Sequence, residues 1–351
     1  GENANAASSV GVSVLKIKYI ALALIARALI LSAAVTAILP GMPVSNVESP
    51  VLFRVPEGSS VLEIADSLEN ASLIRSALYA RLYVRFSGDT LKAGYYRISP
   101  SMSTWAIVKL IAEGKQDSVR VTIPEGLTIS KVAEHLERAG VLSARDFIAA
   151  AEKPNVLASR GIASKTAEGF LFPDTYFFPV GVDANAAVAM MVDNYFAKIK
   201  DVPNAPKSGS ELYAKVILAS IVEREYRAAD EAPIIASVFE NRIKIGMGLQ
   251  SCATIEYIIT EIQKKPHPAR LMDVDLEIAS DYNTYKWAGL PPGPISNPGL
   301  VALNAAINPE NTKYLYFRLT DPEAGRHSFT HSLDEHVRVG RQLVLKKAAG
   351  N

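Results

Sequence analysis

The chain has 351 residues, of which 49% are hydrophobic and 21% charged, and this length allows two or three domains. The formal net charge of +1 gives no electrostatic reason to expect a nucleic-acid partner. Cys252 is the only cysteine, which excludes an intrachain disulfide and a cluster of thiolate metal ligands. An exported domain of this chain must therefore be held together by its apolar core.

An apolar stretch near the N-terminus accounts for part of the hydrophobic content. Residues 17–39 are long enough to cross a bilayer, and Arg27 is the only strongly polar residue near their centre. Lys16 and Lys18 flank the amino side, so the positive-inside rule puts the N-terminus in the cytoplasm and everything after Pro40 outside. We predict a single-pass protein of the cell (inner) membrane with an extracytoplasmic or periplasmic catalytic domain. A cleaved signal peptide is the alternative.

A short repeat follows the apolar stretch. Val55–Ile74 aligns with Ile123–Leu142 without a gap, and seven of the twenty positions are identical. Each copy predicts a strand end, a Pro-Glu-Gly turn and an amphipathic helix. In the first copy Ser60 and Glu63 have the spacing of a capping box. Between the copies, Leu91–Ile98 predicts a strand that pairs back on its neighbour.

The first copy resembles a LysM-type module, a fold that binds polymers containing N-acetylglucosamine. This resemblance is a general one, carried by the strand, turn and helix rather than by particular residues. The alternative is a spacer that sets the distance between the membrane and a catalytic domain.

Leu212–Tyr226 predicts a helix that is apolar nearly all round and carries two carboxylates, Glu223 and Glu225. Such a helix is normally buried, and burial raises the pKa of a carboxyl group, so that it can stay protonated near neutral pH as a general acid must. The pattern does not choose between the two glutamates. The alternative is a structural ion pair with a nearby arginine: Arg224, Arg227 or Arg242.

Two irregular segments carry aromatic and polar residues. Ala167–Gly181 combines Glu168 and Asp174 with several aromatic rings, which is typical either of a sugar-binding cleft or of a packed domain junction. We favour packing for Phe170 and Phe172 and leave Asp174 and Tyr176 open. In the second segment, Asp281–Pro309, closely spaced prolines stiffen a loop ahead of a helix from Pro298 to Asn308, with Asn297 placed as its N-cap.

Several motifs in this order resemble those of the endolytic murein transglycosylase family, also called YceG-like. They lie between about Val55 and His336: EGFLFPDTY, ASIVERE, NRIKIGMGLQS, YNTYKWAGLPPGPISNPG, LYF and HSFTHSLDEH. The resemblance implies lytic cleavage of the β-1,4 bond between N-acetylmuramic acid and N-acetylglucosamine inside peptidoglycan strands. It also implies a role in ending strand growth, with peptidoglycan synthases (penicillin-binding proteins) as partners. No metal or cofactor is implied.

The resemblance places the essential glutamate of the family at Glu223, with Glu225 as runner-up. Glu223 would protonate the leaving oxygen and then remove the proton of the muramic acid 6-hydroxyl, which closes a 1,6-anhydro ring and replaces the second carboxylate of an ordinary glycosidase. Further residues match motif segments and are predicted to contact sugar: Gln250, Thr254, Tyr282, Asn283 and Tyr285.

Two features depart from, or add to, this pattern. After Gln250 the family pattern has Ser-Asp-Pro-Thr, whereas this chain has Cys252 and Ala253 at the middle positions, so a role for an aspartate there is in doubt. We interpret Cys252 as a small buried residue. The C-terminal histidines suggest a metal site, but their segment predicts a strand and the resemblance brings no metal: His327, His331 and His336.

The fold class predicted from these features is α+β, with an N-terminal transmembrane helix, small LysM-like modules and a mixed C-terminal catalytic domain. The predicted divisions are a cytoplasmic tail (1–14), a transmembrane helix (15–39), a linker (40–50), a LysM-like module (51–118), a second strand-turn-helix module with a junction (119–205) and the catalytic domain (206–345). A hydrolytic muramidase of the lysozyme type and a non-catalytic scaffold that binds peptidoglycan and recruits cell-wall synthases are the alternative functions.

Overall fold

The computed structural model describes residues 14–153 and 155–348. It is a mixed α+β structure, which confirms the predicted fold class at this level, and it divides into two compact units between Ser118 and Val119. Positions 1–13 of the predicted cytoplasmic tail lie outside the described residues.

The first described element is helix α1 (Val14–Ile38), which a single 3-10 turn (Leu39–Gly41) follows. Within the described residues, no helix combines the length and the apolar character that crossing a membrane requires. The transmembrane helix predicted over 15–39 is therefore not supported by the structure.

The rest of the first unit contains a two-stranded sheet and three helices. Its elements are β1 (Val51–Val55), α2 (Val61–Asn70), α3 (Ala77–Ser87), β2 (Gly94–Ile98) and α4 (Thr104–Glu113). The strands are antiparallel, with Val51 opposite Ile98 and Val55 opposite Gly94, which confirms the strand predicted between the repeats. The capping box of Ser60 and Glu63 is also present, because each residue accepts a hydrogen bond from the backbone N–H of the other.

The second unit opens with the second copy of the repeat. Its first elements are β3 (Ser118–Thr122), α5 (Ile129–Arg138), α6 (Ala144–Ala151), α7 (Asn155–Ala158), β4 (Thr175–Pro179) and α8 (Ala184–Ile199). Strands β3 and β4 form a second small sheet. As predicted, Phe170 and Phe172 are packed in the core.

Helix α9 (Gly209–Glu225) is the apolar helix identified in the sequence, and further helices pack around it. They are α10 (Ala232–Lys244), α11 (Cys252–Tyr257), which continues into a π-helical turn (Ile258–Ile262), and α12 (Leu300–Ile307). Short 3-10 turns lie at Ala229–Glu231 and Asp273–Glu277. An antiparallel hairpin of β5 (Tyr316–Asp321) and β6 (Arg326–Thr330) precedes the last helix, α13 (Leu333–Ala348).

The start of α12 differs from the sequence prediction. The helix begins at Leu300 with Gly299 at its N-cap, so the prediction that Asn297 caps it was wrong. The side chain of Asn297 is buried and bonds to distant segments: it accepts from the N–H of Leu171 and donates to the backbone oxygen of Leu127. The side-chain amide of Asn297 thus bonds to residues far away in the chain and not to the start of α12.

Candidate active site

Helix α9 carries the two glutamates to its C-terminal turn. Its middle is fully buried at Leu212, Val216 and Ile221, whereas its last turn is only partly buried. Glu223 and Glu225 are both partly buried there. The prediction of a buried helix ending in two sheltered carboxylates is confirmed.

Glu223 lies in a pocket made by three segments of the second unit. Its Oε2 accepts a hydrogen bond of 2.9 Å from the backbone N–H of Gly299, and the hydroxyl of Tyr226 lies 3.5 Å from Oε1. A methyl group added to Gly126 would lie 3.5 Å from Cγ of Glu223, so the turn of the second repeat passes directly over the side chain. No ion pair with Glu223 exists among the described residues.

The surroundings of Glu223 favour its protonated form. Burial raises the pKa of Glu223 to about 7, the hydrogen bond from Gly299 opposes this shift, and the negative charge of Glu125 adds to it. Tyr226 and Arg224 lower the pKa of Glu223, but with a smaller effect. A carboxyl group that titrates near neutral pH can give up a proton and take one back in the same cycle.

Hydrogen bonds fix the three segments to one another. Ser220 of α9 accepts a bond from the N–H of Ile295, and the Ser220 carbonyl accepts one from the Ser296 hydroxyl. The turn of the second repeat is fixed in the same way: the N–H of Gly126 donates to the carbonyl of Asn297, and the N–H of Asn297 donates to the carbonyl of Leu127. These bonds bring the Gly299 N–H and the repeat turn to the same carboxyl group.

Glu168 is buried beneath this junction. From the sequence it was predicted only as one acid of an aromatic segment. Its carboxyl accepts from the N–H of Ile129 at the start of α5 and from the side-chain amide of Asn297, at 2.9 Å. Burial raises the pKa of Glu168 to about 8, with the Ile129 bond acting in the opposite direction. Its contacts are internal, so Glu168 supports the site rather than facing a ligand.

Glu225 faces a different set of residues. The Ser251 hydroxyl donates a hydrogen bond of 2.5 Å to Glu225, and burial raises the pKa of Glu225. The arginine pairing considered in the sequence is not found among the described residues: Arg224 pairs with Glu256 at 2.9 Å, and Arg242 donates to the backbone carbonyls of Leu249 and Leu315.

A cleft of about 460 Å³ begins beside Glu223, where Gly126 and Arg224 contribute to its wall. The start of α5 forms one side of this cleft, and the π-helical turn and the segment after it form the other. Glu261 of that turn joins the two sides by accepting hydrogen bonds from the hydroxyls of Thr128 and Ser130. The cleft carries charges of both signs, which suits a polar ligand with hydroxyl, amide and carboxylate groups.

Two of the predicted sugar contacts have side chains that are engaged inside the protein. Thr254 is fully buried and donates to the backbone oxygen of Ser251. Asn283 is also fully buried; its amide donates to the carbonyls of Leu276 and Ile278. In this geometry both residues support the loops around the site.

Among the described residues, none of the other three predicted contacts forms a hydrogen bond with Glu223. Gln250 is exposed and adopts a left-handed backbone conformation (φ 49°) beside Ser251. The hydroxyl of Tyr285 lies 3.1 Å from the sulfur of Cys252, so these residues are on the Glu225 side. Tyr282 packs its ring 5.2 Å from that of Tyr257.

The cysteine and the histidines are held by separate partners. Cys252 is exposed, so the interpretation of a small buried residue was wrong, because its position at the first turn of α11 faces outward. His327 bonds to Glu231 at 2.7 Å, whereas His331 stacks on Tyr314. Within the described ranges, no group of three such side chains is placed to hold a metal ion.

The sequence analysis did not single out Glu125, the middle residue of the second Pro-Glu-Gly turn. The carboxyl group of Glu125 lies so close to Gly299 that any side chain at position 299 would overlap it. The signal was present in the repeat, which preserves this glutamate in both copies, but the repeat gives no indication that the second copy folds against α9.

Comparison with known proteins agrees with this architecture. A model of the YceG-like family matches residues 53–342, so the chain belongs to the YceG-like family. The crystal structure of a YceG-like protein from Listeria monocytogenes superposes with a TM-score of 0.55 at 33% identity, covering 84% of this chain and 100% of that one.

Two curated relatives are both named endolytic murein transglycosylase. The protein of Streptococcus pneumoniae is 30% identical over 331 residues, covering 86% of this chain and 60% of the relative, so this chain spans about 60% of its length. The protein of Bacillus subtilis is 29% identical over 320 residues, covering 86% of each.

Proposed function

We propose that this protein is an endolytic lytic transglycosylase that cleaves the β-1,4 bond between N-acetylmuramic acid and N-acetylglucosamine inside peptidoglycan strands. The observation that carries the proposal is the state of Glu223: a sheltered carboxyl group with a pKa of about 7, without a cation partner among the described residues, beside Gly126 and Arg224 of the cleft wall. The names of the relatives and the motifs of the sequence support the same reaction.

In the proposed reaction, one carboxyl group performs both proton transfers. Protonated Glu223 gives its proton to the glycosidic oxygen as the bond from that oxygen to the anomeric carbon of muramic acid breaks. The 6-hydroxyl oxygen of the same muramic acid then bonds to the anomeric carbon, and its proton passes to the Glu223 carboxylate. The products are a free 4-hydroxyl end and a 1,6-anhydro end; no water is consumed and Glu223 is again protonated.

Geometry favours Glu223 over Glu225 for this role. Glu223 accepts a backbone N–H and lies against Gly126, which lines the cleft, whereas Glu225 is bound by the Ser251 hydroxyl. After the first proton transfer, the Gly299 N–H bond stabilises the carboxylate form that must accept the second proton. Gln250, Tyr285 and Tyr282 remain proposals for sugar contacts further from the bond that breaks. Thr254 and Asn283 would act through the loops that they support.

Substitution of the proposed acid tests the function directly. Glu223→Gln keeps the shape of the side chain and removes the proton, so the rate of strand cleavage on purified sacculi should fall by about 10²- to 10⁴-fold. Glu225→Gln is the matched variant and should retain cleavage at a reduced rate. Mass spectrometry of the fragments should find anhydromuramic ends. Full activity in Glu223→Gln, with loss in Glu225→Gln, would move the acid to position 225.

A hydrolytic muramidase is the second candidate, and one observation favours it. Hydrolysis by a glycosidase uses a second carboxylate to activate water or attack the sugar, and Glu125 provides an exposed carboxylate beside Glu223. Reducing muramic ends, in place of anhydro ends, would establish this reaction. A scaffold without catalytic activity predicts neither product.

Three finer expectations accompany the proposal. The small module over 51–118 would bind glycan in the manner of a LysM domain, a peptidoglycan synthase would be the protein partner, and the protein would act at the cell membrane on its outer side. The first is tested by pull-down of the full chain with sacculi, the second by affinity capture of a purified penicillin-binding protein, and the third by cell fractionation.

A further inference from the structure

Glu125 and Glu223 come from distant parts of the chain and meet at Gly299. The backbone N–H of Gly299 donates to Oε2 of Glu223, while the Cα of the same glycine packs against the carboxyl group of Glu125. Any side chain at position 299 would overlap the Glu125 carboxyl, so this close approach depends on glycine. The two carboxyl groups therefore lie on either side of one residue.

Glu125 has an open environment. Its side chain is exposed, and in the described part of the chain it forms no hydrogen bond and no ion pair. Two neighbouring carboxylates repel each other, and a structural role would be expected to supply a cation or several N–H donors to offset that repulsion. Arg224, a cation beside the repeat turn, is paired with Glu256.

We propose that Glu125 is a positioning residue of the active site, whose carboxyl group acts through the Glu223 carboxyl on the other side of Gly299 to keep the catalytic proton in place. This inference rests on the proposed role of Glu223 as general acid. It adds a residue from the repeat turn to the machinery of cleavage.

The groups around Glu223 act in opposite directions. Glu125 disfavours the ionised form of Glu223, while the Gly299 N–H, Tyr226 and Arg224 favour it. The acid must be protonated to begin cleavage, so the rate falls as the pH rises through its pKa. Removal of the Glu125 charge lowers that pKa, and the fall in rate then begins at a lower pH.

The test is the pH profile of strand cleavage in Glu125→Gln. Its alkaline limb should move to lower pH by about half a unit or more, the size expected for two charges a few ångströms apart near a protein surface. Glu57→Gln removes the same charge from the equivalent turn of the first repeat and should leave the limb where it is. Because Glu125 is exposed and unbonded, the variant should unfold at the temperature of the parent.

A direct titration separates this inference from the proposed function. NMR of the full chain with ¹³C-labelled glutamate should show that the Glu223 carboxyl titrates at lower pH in Glu125→Gln than in the parent, whether or not the protein cleaves glycan. An unchanged titration and an unmoved pH limb would overturn the role of Glu125. If the titration shifts but Glu223→Gln still cleaves strands, the coupling of the two acids holds and the proposed catalytic role of Glu223 fails.

Discussion

The two copies of the Pro-Glu-Gly repeat have the same local structure and different surroundings. Gly58 and Gly126 both adopt left-handed backbone conformations, with φ of 78° and 74°. A methyl group on Gly58 would meet no described atom within 4 Å, whereas one on Gly126 would touch the side chain of Glu223. The second turn therefore lies against the proposed catalytic acid.

The helices that follow the two turns are capped differently. In α2, Glu63 of the same helix bonds back to the backbone of Ser60. The corresponding position in α5 is Lys131, and carboxyl groups from distant parts of the chain accept the hydrogen bonds at the start of this helix. Glu168 accepts from the N–H of Ile129, and Glu261 accepts from the hydroxyls of Thr128 and Ser130. Distant residues thus provide caps in the second copy of a motif that is self-contained in the first.

The largest effect is expected from loss of the distant cap. Glu168→Ala leaves the buried N–H of Ile129 without an acceptor and removes one of the two hydrogen bonds that the Asn297 amide donates, which should lower the free energy of unfolding of the second unit by about 2–3 kcal/mol, at about 1–3 kcal/mol for an unsatisfied group and about 1 kcal/mol for a lost hydrogen bond. Urea unfolding at pH 6 measures this loss. A change below about 1 kcal/mol would contradict the role assigned to Glu168.

The pH dependence of stability provides a second measure of the same residue. The pKa of Glu168 is raised in the folded protein from 4.5 to about 8, so its stabilising effect is full below the unfolded value and is lost as the pH rises through the folded one. Glu168→Gln cannot ionise, so its stability should fall less than that of the parent between pH 5 and pH 8. Parallel curves for the two proteins would contradict this expectation.

An intermediate effect is expected from the paired glycine substitutions. Gly58→Ala and Gly126→Ala each place a Cβ in a left-handed conformation, which should cost each variant about 1–2 kcal/mol. Gly126→Ala should also lower kcat several-fold, because its methyl group contacts Glu223 and strain in the turn displaces Glu125. Thermal unfolding and strand-cleavage assays measure the two effects. Equal loss of kcat in both variants would remove the distinction between the turns.

The smallest effect is expected from the local cap. Ser60→Ala removes the side-chain oxygen that accepts the N–H of Glu63 and should destabilise α2 by about 1 kcal/mol. Thr128→Ala should cost more, since it also removes the hydrogen bond to Glu261. Hydrogen exchange of the amides in the first turn of each helix compares them. Greater loss of protection in Ser60→Ala than in Thr128→Ala would contradict this order.

Features that depend on residues close together in the chain were predicted correctly, and a feature that depends on distant residues was not. The apolar helix with Glu223 and Glu225, the capping box of α2 and the strand that pairs with β1 were all predicted, because each depends on residues a few positions apart or on one simple pairing. Asn297 was misassigned because its partners, Leu127 and Leu171, lie more than a hundred positions away.

Periodicity, caps and glycines act on neighbouring residues, so the amino-acid sequence was enough to predict the apolar helix, the capping box, the repeat and the pair of acids. The tertiary structure alone decided that the second repeat turn lies against Glu223, that Gly299 supplies its N–H donor, and that Glu125 adds a second charge. This is because the pKa of a buried acid depends on the donors and charges that surround it in space, and here the two with the largest effect, Gly299 and Glu125, come from distant positions in the chain.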